Sequence, residues 1–369
     1  MTEQIEPADL AARLCEDVEG VCRDIGLVGR RRGRSFVAHC PWNRRAEPKL
    51  YVDLRKAPGG WIDFTSGETG DILWLIALTM SGGIRSPQAL GEALKWTRHR
   101  FGLSGGNYDR DAWQRSVERA RRAAAEREAA AALELEKDRN RAHGRWLSGL
   151  RLLPHQDAWK YFLARGIDFE RLGRKPGAVR FSPQEPYWED GKIIYTGPAL
   201  MTAMTLPDGS FGAVHKTYFD PARPGEKIDL GLDPHGEPRK PRKMWPQTLG
   251  CVMRLWRGGD GLSEKDATKH GLLEDVIVCE GVEDAYSLAM IDPKRRIWGA
   301  GSLGGLLNMT PPSCADALTI AADNDWGKPQ AEAQLVRACR RFVDEFGLTV
   351  KIIRSPEGKD FNDLIRPRK

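Results

Sequence analysis

Acidic residues follow three hydrophobic segments in the last hundred residues, at the points where the segments end. Glu280 comes directly after VIVC, Asp323 and Asp325 follow LTIAA, and Asp360 and Asp363 lie in GKDFND after LTVKIIRSP. Carboxylate oxygens are the ligands that Mg²⁺ prefers, and this ion keeps several waters while it bridges to phosphate oxygens. These acids could therefore hold a divalent ion for chemistry at a phosphate.

The elements that would position these acids alternate between strands and helices. Strand character is found in VIVC, RRIWGAG, LTIAAD and LTVKIIRSP, and helical character in EDAYSLAMI and AEAQLVRACRRFVDEF. Such alternation predicts a parallel sheet with covered faces, which gathers ligands at the carboxyl ends of its strands. The i, i+2 spacing points Asp323 and Asp325 to the same side of an extended backbone.

A cation would remove a conflict between these carboxylates, because acids gathered at one edge repel one another and raise each other's pKa values. The alternative is that Glu280, Asp323 and Asp325 are helix caps and solvated loop acids, which is common for any one of them. Three clusters at the ends of three strands of one sheet favour the metal site.

Composition and pattern divide the chain into four segments, and the predicted fold class is multidomain, α/β and α+β. We predict a small α+β domain over 1–103, a helical linker over 104–150, a basic α+β subdomain over 151–270 and the parallel α/β domain over 271–369. The linker is rich in Ala, Arg and Glu and lacks a sustained apolar stripe, so it is predicted to be a solvated helix.

In the first segment, helical spacing runs over 8–26, and SFVAHC, KLYVDL and GGWIDF resemble strands. Asp71 is placed to cap a helix through ILWLIALTMSG. In the third segment, AWKYFLARG and IDFERL predict a helix pair. A mostly antiparallel sheet is predicted from AVRFSP, KIIYTGPALMTAMTL and GAVHKTYF, and 221–247 is predicted to be a long loop.

The formal net charge of +6 is less informative than its distribution. Two basic clusters near Gly or Pro are predicted on loops, where they could neutralise phosphates or simply be solvated. They consist of Arg30, Arg31, Arg32 and Arg34, and of Arg239, Lys240, Arg242 and Lys243.

The seven cysteines are scattered without a CxxC pair, so neither a disulfide framework nor a four-thiolate zinc site is supported. The sequence contains no stretch of about 18 uninterrupted apolar residues, the length that a membrane span needs. The first residues, MTEQIEPADL, lack the pattern of a secretory signal. We therefore expect a cytoplasmic protein without membrane contact.

The acidic segments CEGVEDA, AADND and GKDFNDLI resemble the Toprim domain shared by bacterial and phage primases, type IA and type II topoisomerases and certain nucleases. The resemblance implies that Glu280, Asp323 and Asp325 are catalytic, with Glu280 as general acid/base or metal-proximal residue. It implies that Asp323 and Asp325 hold the metal together with Glu280 and a supporting Asp360. Mg²⁺ or Mn²⁺ is the expected cofactor.

Upstream, AWKYFLARGI resembles the helix that begins the catalytic core of DnaG-type primases, and HKTYFDP with RKM is similar to primase-like proteins of phages, plasmids and mobile elements. There, basic residues are thought to hold template or nucleotide, which nominates Lys216, Arg242 and Lys243. The amino-terminal cluster adds Arg31, Arg32 and Arg34. Candidates for stacking on bases are Trp42, Trp61, Tyr218 and Trp245, although aromatic side chains more often fill small cores.

The first segment resembles the zinc-ribbon domain of such primases with its metal ligands lost. HCPWN keeps Cys40 where a CPFH-type knuckle would begin, and Asn43 stands where a histidine would. WIDFTSGETGDILWLI keeps the following strand and helix but lacks the CxxC that would complete four ligands. We expect no zinc. A remnant metal pair of His39 and Cys40 is the alternative to a buried thiol beside an ordinary histidine.

The predicted function is that of a DNA primase, which synthesises short RNA primers on single-stranded DNA during replication of a phage, plasmid or other mobile element. The expected partners are the template, ribonucleotides and a separate replicative helicase, since GxxxxGK[ST] does not occur in the sequence. The alternatives are a Toprim nuclease or nickase, and an inactive accessory protein that binds single strands.

Overall fold

The chain forms two compact units, Met1–Glu134 and Leu135–Lys369, and the boundary between them falls within the long helix α5 (Arg110–Ser148). No helix among the described residues is both long enough and apolar enough to cross a lipid bilayer. The computed structural model describes residues 5–43, 48–55, 58–103, 109–234, 236–325 and 327–367.

The first unit is an antiparallel sheet of strand order β1-β2-β3-β4-β5 with helices packed beside it. Its strands are β1 (Gly29–Arg32), β2 (Ser35–Ala38), β3 (Leu50–Asp53), β4 (Trp61–Asp63) and β5 (Thr69–Gly70). Its helices are α1 (Pro7–Leu14), α2 (Val18–Asp24), α3 (Ile72–Ser81), α4 (Pro87–Arg100) and the first part of α5.

Local interactions explain where the helices of this unit begin and end. The side chain of Asp71 accepts a hydrogen bond from the backbone N of Trp74 at 2.9 Å, as predicted, and Gly82 ends α3 in the left-handed conformation. The single helix predicted over 8–26 is wrong. The side chain of Asp17 accepts from the backbone N of Gly20 at 2.9 Å and starts a separate helix, α2.

The amino-terminal basic cluster also differs from its prediction. Arg30, Arg31 and Arg32 lie on the edge strand β1 and are exposed, whereas Arg34 lies in the turn before β2. Pairing with β2 satisfies the backbone of these residues on one side, so a strand forms without any apolar alternation.

The second unit begins with an antiparallel sheet of strand order β10-β9-β8-β7-β6. The predicted helix AWKYFLARG is present as α6 (Asp157–Leu163), but IDFERL forms turns instead of a second helix. Arg242 and Lys243, predicted on a loop, lie on the edge strand β10. The strands are β6 (Leu150–Arg151), β7 (Val179–Glu189), β8 (Lys192–Thr205), β9 (Phe211–Tyr218) and β10 (Arg242–Trp245).

The second sheet of this unit has the order β11-β13-β12-β14-β15, with β11 antiparallel and the other strands parallel. Its strands are β11 (Met253–Arg257), β12 (Glu274–Cys279), β13 (Arg296–Gly299), β14 (Ala315–Ala322) and β15 (Thr349–Arg354). The helices are α7 (Glu264–Lys269), α8 (Val282–Ile291), α9 (Leu303–Asn308), α10 (Pro329–Phe346) and α11 (Asn362–Ile365).

One hydrophobic core joins the two sheets of the second unit. It includes Phe162 of α6, Phe181 and Leu200 of the antiparallel sheet, and Ile277 and Tyr286 of the parallel sheet and its helix α8. Because these side chains are buried together, the antiparallel sheet is held in a fixed place against the parallel one. The predicted fold class, a parallel α/β domain preceded by α+β structure, is confirmed.

Candidate active site

Glu280 occupies the carboxyl end of β12, the predicted position. Its backbone carbonyl accepts a hydrogen bond from the backbone N of Gly301 at 2.9 Å, which fixes the residue beyond the end of the strand. Burial and the charges of Asp323 and Asp325 raise the pKa of Glu280 to about 7. Gly281 follows, where an added Cβ would lie 2.6 Å from Oδ2 of Asp284. A side chain at 281 would therefore displace a carboxylate of this site.

Asp323 and Asp325 follow β14 and flank Asn324, which is buried. The amide Nδ2 of Asn324 donates to the carbonyls of Ser355 at 2.8 Å and Gly358 at 2.9 Å, and this ties the loop after β14 to the loop after β15. Burial, followed by the charge of Asp360, raises the pKa of Asp323. The carboxylate of Asp325 is 2.5 Å from Nζ of Lys328.

Asp284, in the first turn of α8, is a member of the same carboxylate group that the sequence did not nominate. It is only 8 % exposed, and its Oδ1 accepts from the backbone N of Asn362 at 3.3 Å. Burial and the charges of Asp360 and Asp323 raise its pKa well above the usual range of an aspartate. The signal that could have revealed it is its place in the first turn of the helix that follows Glu280, four residues further along the chain.

Next to Asp284 in the sequence, Glu283 is a buried carboxylate that interacts with cationic side chains. Its Oε1 accepts from the hydroxyl of Tyr161 at 2.7 Å and lies 3.1 Å from Nζ of Lys227. Burial acts to raise the pKa of Glu283, but Lys227 and Arg165 outweigh it and hold the pKa well below the usual range. Arg165 in turn donates to Oδ1 of Asn362 at 2.7 Å, which joins the end of α6 to α11.

The structure separates the predicted cationic residues of the antiparallel sheet. Arg242 pairs with Thr217 and Lys243 pairs with Lys216 in the β9–β10 ladder. Because neighbouring residues of a strand point to opposite faces, Lys216 and Lys243 share one face and Arg242 points to the other. The charge of Arg242 acts on Glu280 and Asp323, where it opposes the rise of their pKa values. Arg242 therefore faces the acids, and the two lysines do not.

The stacking candidates also differ in accessibility. Trp61 is 4 % exposed and Tyr218 is 1 % exposed, so both fill the interior and cannot stack on a base. Trp42 is half-buried and packs edge-on against Trp61, with ring centres 5.6 Å apart. Trp245 is half-buried on β10. Arg31, Arg32 and Arg34 lie in the first unit.

Within the part of the chain that the structure describes, no group of three or more His, Cys, Asp or Glu side chains is placed to hold a metal ion. Mg²⁺ is often bound through one or two carboxylates with waters completing its shell, so such a group is not needed. Besides burial, the charges of neighbouring carboxylates raise the pKa values of Glu280 and Asp323, so these acids act on one another at this edge. The chemistry of the donors therefore fits a hydrated divalent cation.

Residues 275–368 match the family model described as the Toprim domain. The parallel sheet and its acidic edge thus form a Toprim domain, as the sequence predicted. Residues 136–255 match a model described as a domain of unknown function, DUF7146. No curated protein matches the chain.

Among solved structures, primases are similar to this chain. The zinc-binding and RNA polymerase domains of the Aquifex aeolicus primase align over 97 % of this chain and 81 % of that one, with 16 % identity and a TM-score of 0.37. A DnaG primase catalytic domain bound to single-stranded DNA aligns over 62 % and 74 %, with 13 % identity and a TM-score of 0.39. The E. coli primase catalytic core aligns over 57 % and 68 %, with 14 % identity and a TM-score of 0.35. At such low identities and scores, the assignment of the domain rests on the family model.

Proposed function

We propose that the chain is a DNA primase, a nucleotidyltransferase that joins ribonucleotides on a single-stranded DNA template at the carboxylate edge of the Toprim sheet. The observation that carries the proposal is electrostatic: the charges of Asp323 and Asp325 act on the pKa of Glu280, the charge of Asp360 acts on that of Asp323, and Arg242 of the adjoining antiparallel sheet opposes both effects. Phosphoryl transfer needs a site of this kind, with carboxylates for a divalent ion and a fixed positive charge for phosphate oxygens.

In this proposal, Asp323 and Asp325 would hold Mg²⁺ or Mn²⁺ with waters completing its shell, and Asp360 would be a supporting acid. The ion would supply charge stabilisation at the phosphate. Glu280 is the general acid/base or a further ligand of the ion, as the family resemblance implies. Arg242 binds the incoming nucleotide through its phosphates. Asn324 positions the two aspartates by fixing their loop.

The motifs of the second unit that resemble primase-like proteins support a role in the cytoplasmic replication of a phage, plasmid or other mobile element. The helicase would be a separate protein in this case. The first unit, with Arg31, Arg32 and Arg34 exposed beside its edge strand, is proposed to contact the template through phosphates.

The test is primer synthesis with single-stranded DNA, labelled ribonucleotides and Mg²⁺ or Mn²⁺. Wild-type protein should produce short RNA, and Asp323→Asn should reduce the yield by about 100-fold or more, as expected when a charge-stabilising group is lost. Asp316→Asn is the matched control, because Asp316 is an exposed acid near the opposite end of the same strand.

Other outcomes would overturn the proposal. Shortened or nicked DNA that disappears with Asp323→Asn would establish a nuclease instead. Binding of single strands without synthesis or cleavage under either metal would establish an accessory role.

A further inference from the structure

A cavity of about 620 Å³ opens on the face of the antiparallel sheet that Lys216 and Lys243 share. Its volume is in the range of small-molecule sites. Arg242, which points to the other face, does not line the cavity, although Met244 of the same strand does. Six of its lining residues are Arg145, Glu185, Trp188, Lys216, Lys243 and Trp245.

Buried ion pairs fix the cations of this cavity. Glu185 is fully buried, and it accepts a hydrogen bond from Nε of Arg145 at 2.8 Å and lies 2.7 Å from Nζ of Lys216. Lys243 donates to the backbone carbonyl of Trp188, and its Nζ lies 4.2 Å from the centre of the Tyr187 ring. Arg145 and Lys216 thus pair with Glu185, and Lys243 is a third cation of the lining, which leaves an excess of positive charge that suits a phosphate.

The aromatic side of the cavity is accessible. Trp188 is 50 % exposed, the highest exposure among the tryptophans that the structure describes. Trp245 lies half-buried on the neighbouring strand β10. An exposed indole can stack on the flat base of a nucleotide, and the fixed cations beside it can bind the charged phosphate.

We propose that this cavity binds one nucleotide, with its base against Trp188 and its phosphate among Arg145, Lys216 and Lys243. The inference rests on the proposed function and extends it, since it places a binding site for template or free ribonucleotide away from the catalytic edge. A nucleotide unit of a single strand and a free nucleotide share this chemistry, and the test distinguishes them.

The experiment measures two affinities without added divalent metal, one for a fluorescent oligodeoxynucleotide by anisotropy and one for labelled ATP by equilibrium dialysis. Trp188→Ala should weaken one of them by about tenfold, the effect of losing one base stack. Lys243→Gln should reduce the slope of log affinity against log salt for the strand by about 0.7, the loss of one phosphate contact. An effect on the oligonucleotide alone identifies the template, and one on ATP alone identifies the free nucleotide.

Matched controls come from the same hairpin. Ile194→Ala removes an exposed apolar side chain from β8, and Lys192→Gln removes an exposed charge at the start of that strand. Neither lines the cavity, so both should bind as wild type does. Wild-type affinity of Trp188→Ala and Lys243→Gln for both ligands would overturn the inference. Binding is measured without synthesis, so a protein that makes no primers can still confirm or refute this site.

A second inference, carried by a different observation, concerns two loops of the first unit. Cys40 and Asn43 lie in one loop, Asp63 ends β4, and Ser66 lies in the loop that follows, with two residues between the members of each pair. This is the spacing of the paired ligands in zinc knuckles. The second pair was not recognised in the sequence because neither of its members is a cysteine.

A single carboxylate joins these four positions. Asp63 is fully buried, and its oxygens accept from Nδ2 of Asn43 at 3.0 Å, from Oγ of Ser66 at 2.9 Å and from the backbone N of Thr65 at 2.9 Å. Burial, followed by the charge of Asp63, raises the pKa of the Cys40 thiol to about 11. A protonated thiol, an amide and a hydroxyl do not fit tetrahedral zinc.

We infer that the Asp63 carboxylate links the two loops through hydrogen bonds where a metal ion would otherwise link them. The carboxylate accepts from both loops at once, so its removal leaves the donors of Asn43 and Ser66 without their buried partner. His39 is exposed whereas Cys40 is buried, so the two neighbouring side chains lie in different surroundings.

The test uses the full chain. Asp63→Ala should increase amide hydrogen exchange at least tenfold in peptides that cover the two loops and leave exchange in peptides of the second unit unchanged. The control is Glu92→Ala, which removes an exposed acid of α4 and should change exchange in neither set of peptides. Wild type should keep its exchange pattern in a chelator. The variant Asn43→Cys, Asp63→Cys, Ser66→Cys completes four thiols and should bind about one zinc ion per chain.

Two results would refute the inference. One is wild-type protein that retains zinc through dialysis and loses protection of these loops in a chelator. The other is unchanged exchange in Asp63→Ala. These two measurements decide the question even where the triple variant does not fold.

Discussion

Glu283→Gln tests whether the buried ion pair behind the carboxylate edge stabilises the second unit. The substitution keeps an oxygen that can accept from Tyr161 and removes the charge, which lies 3.1 Å from Nζ of Lys227 and also acts on Arg165. Glu283 is 3 % exposed, so water cannot replace the lost charge next to the ammonium group. We expect the variant to be less stable because it leaves a cation without its counterion.

The size of the effect follows from the exposure of the two partners. Removing one member of a fully buried pair costs about 3–5 kcal/mol. The side chain of Lys227 is 24 % exposed, so part of its charge stays solvated. We therefore expect a loss of about 2–3 kcal/mol, which corresponds to a decrease of about 4–12 °C in the melting temperature of a unit of this size.

Urea denaturation and calorimetry of the full chain measure this loss, and the variant Lys227→Met, Glu283→Gln completes a double-mutant cycle. The double variant should be more stable than Glu283→Gln alone, because the ammonium group that lost its counterion is gone and only Arg165 remains near position 283. Glu332→Gln is the control, since Glu332 pairs with Arg354 at 2.6 Å but its side chain is 59 % exposed. This control should lower the free energy of unfolding by less than about 1 kcal/mol. A loss in Glu283→Gln no larger than in this control, or additive effects in the cycle, would contradict the reasoning.

Three further predictions concern the same unit. Burial lowers the pKa of His215 to about 4, below the 6.5 of an unfolded histidine, so the unfolded state binds a proton that the folded state does not. The free energy of unfolding should therefore fall by about 3 kcal/mol as the pH is lowered from 6.5 to 4. Urea denaturation at several pH values should show a smaller pH dependence of this free energy in His215→Phe. Gly166→Ala should lower the free energy of unfolding by more than about 2 kcal/mol, because Gly166 has φ +77° and an added Cβ would lie 2.1 Å from the carbonyl oxygen of Ile365. Thermal denaturation measures this loss, and an unchanged melting temperature would show that the contact is absent in solution. Asn324→Ala should increase hydrogen exchange over residues 355–363 while α10 stays protected, and equal exchange in both proteins would refute its role as the link between the two loops.

The parallel sheet could be predicted because its determinants are local. Each of its central strands is a short apolar run, and the helices between them carry regular apolar spacing. The position of Glu280, Asp323 and Asp325 at one edge then follows from the direction of parallel strands alone. The same reasoning identified the helix capped by Asp71, since a cap residue and a terminal glycine lie close to the helix in sequence.

The rest depended on contacts between distant residues. Tyr161 and Glu283 are 122 positions apart, and the sequence gives no sign that they share a hydrogen bond. Arg242 lies on the opposite face of the sheet from Lys216 and Lys243. This arrangement depends on the register between β9 and the edge strand β10, which lies in a segment rich in Pro and Gly. Strand β1 was missed for a related reason, because four exposed residues show no alternation. Asp284 was missed because its burial follows from the packing of α8 against the last loop.

The alternation along β10 has a consequence for how insertions and deletions would act. Shortening the loop before Arg242 by one residue could be absorbed there while the ladder with β9 stays intact. Removing Met244, with Trp245 kept in register, would instead exchange the two sides of the strand before it, bringing Lys243 toward the acids and turning Arg242 away from them. The length of this four-residue strand is therefore constrained far more tightly than that of the segment leading to it.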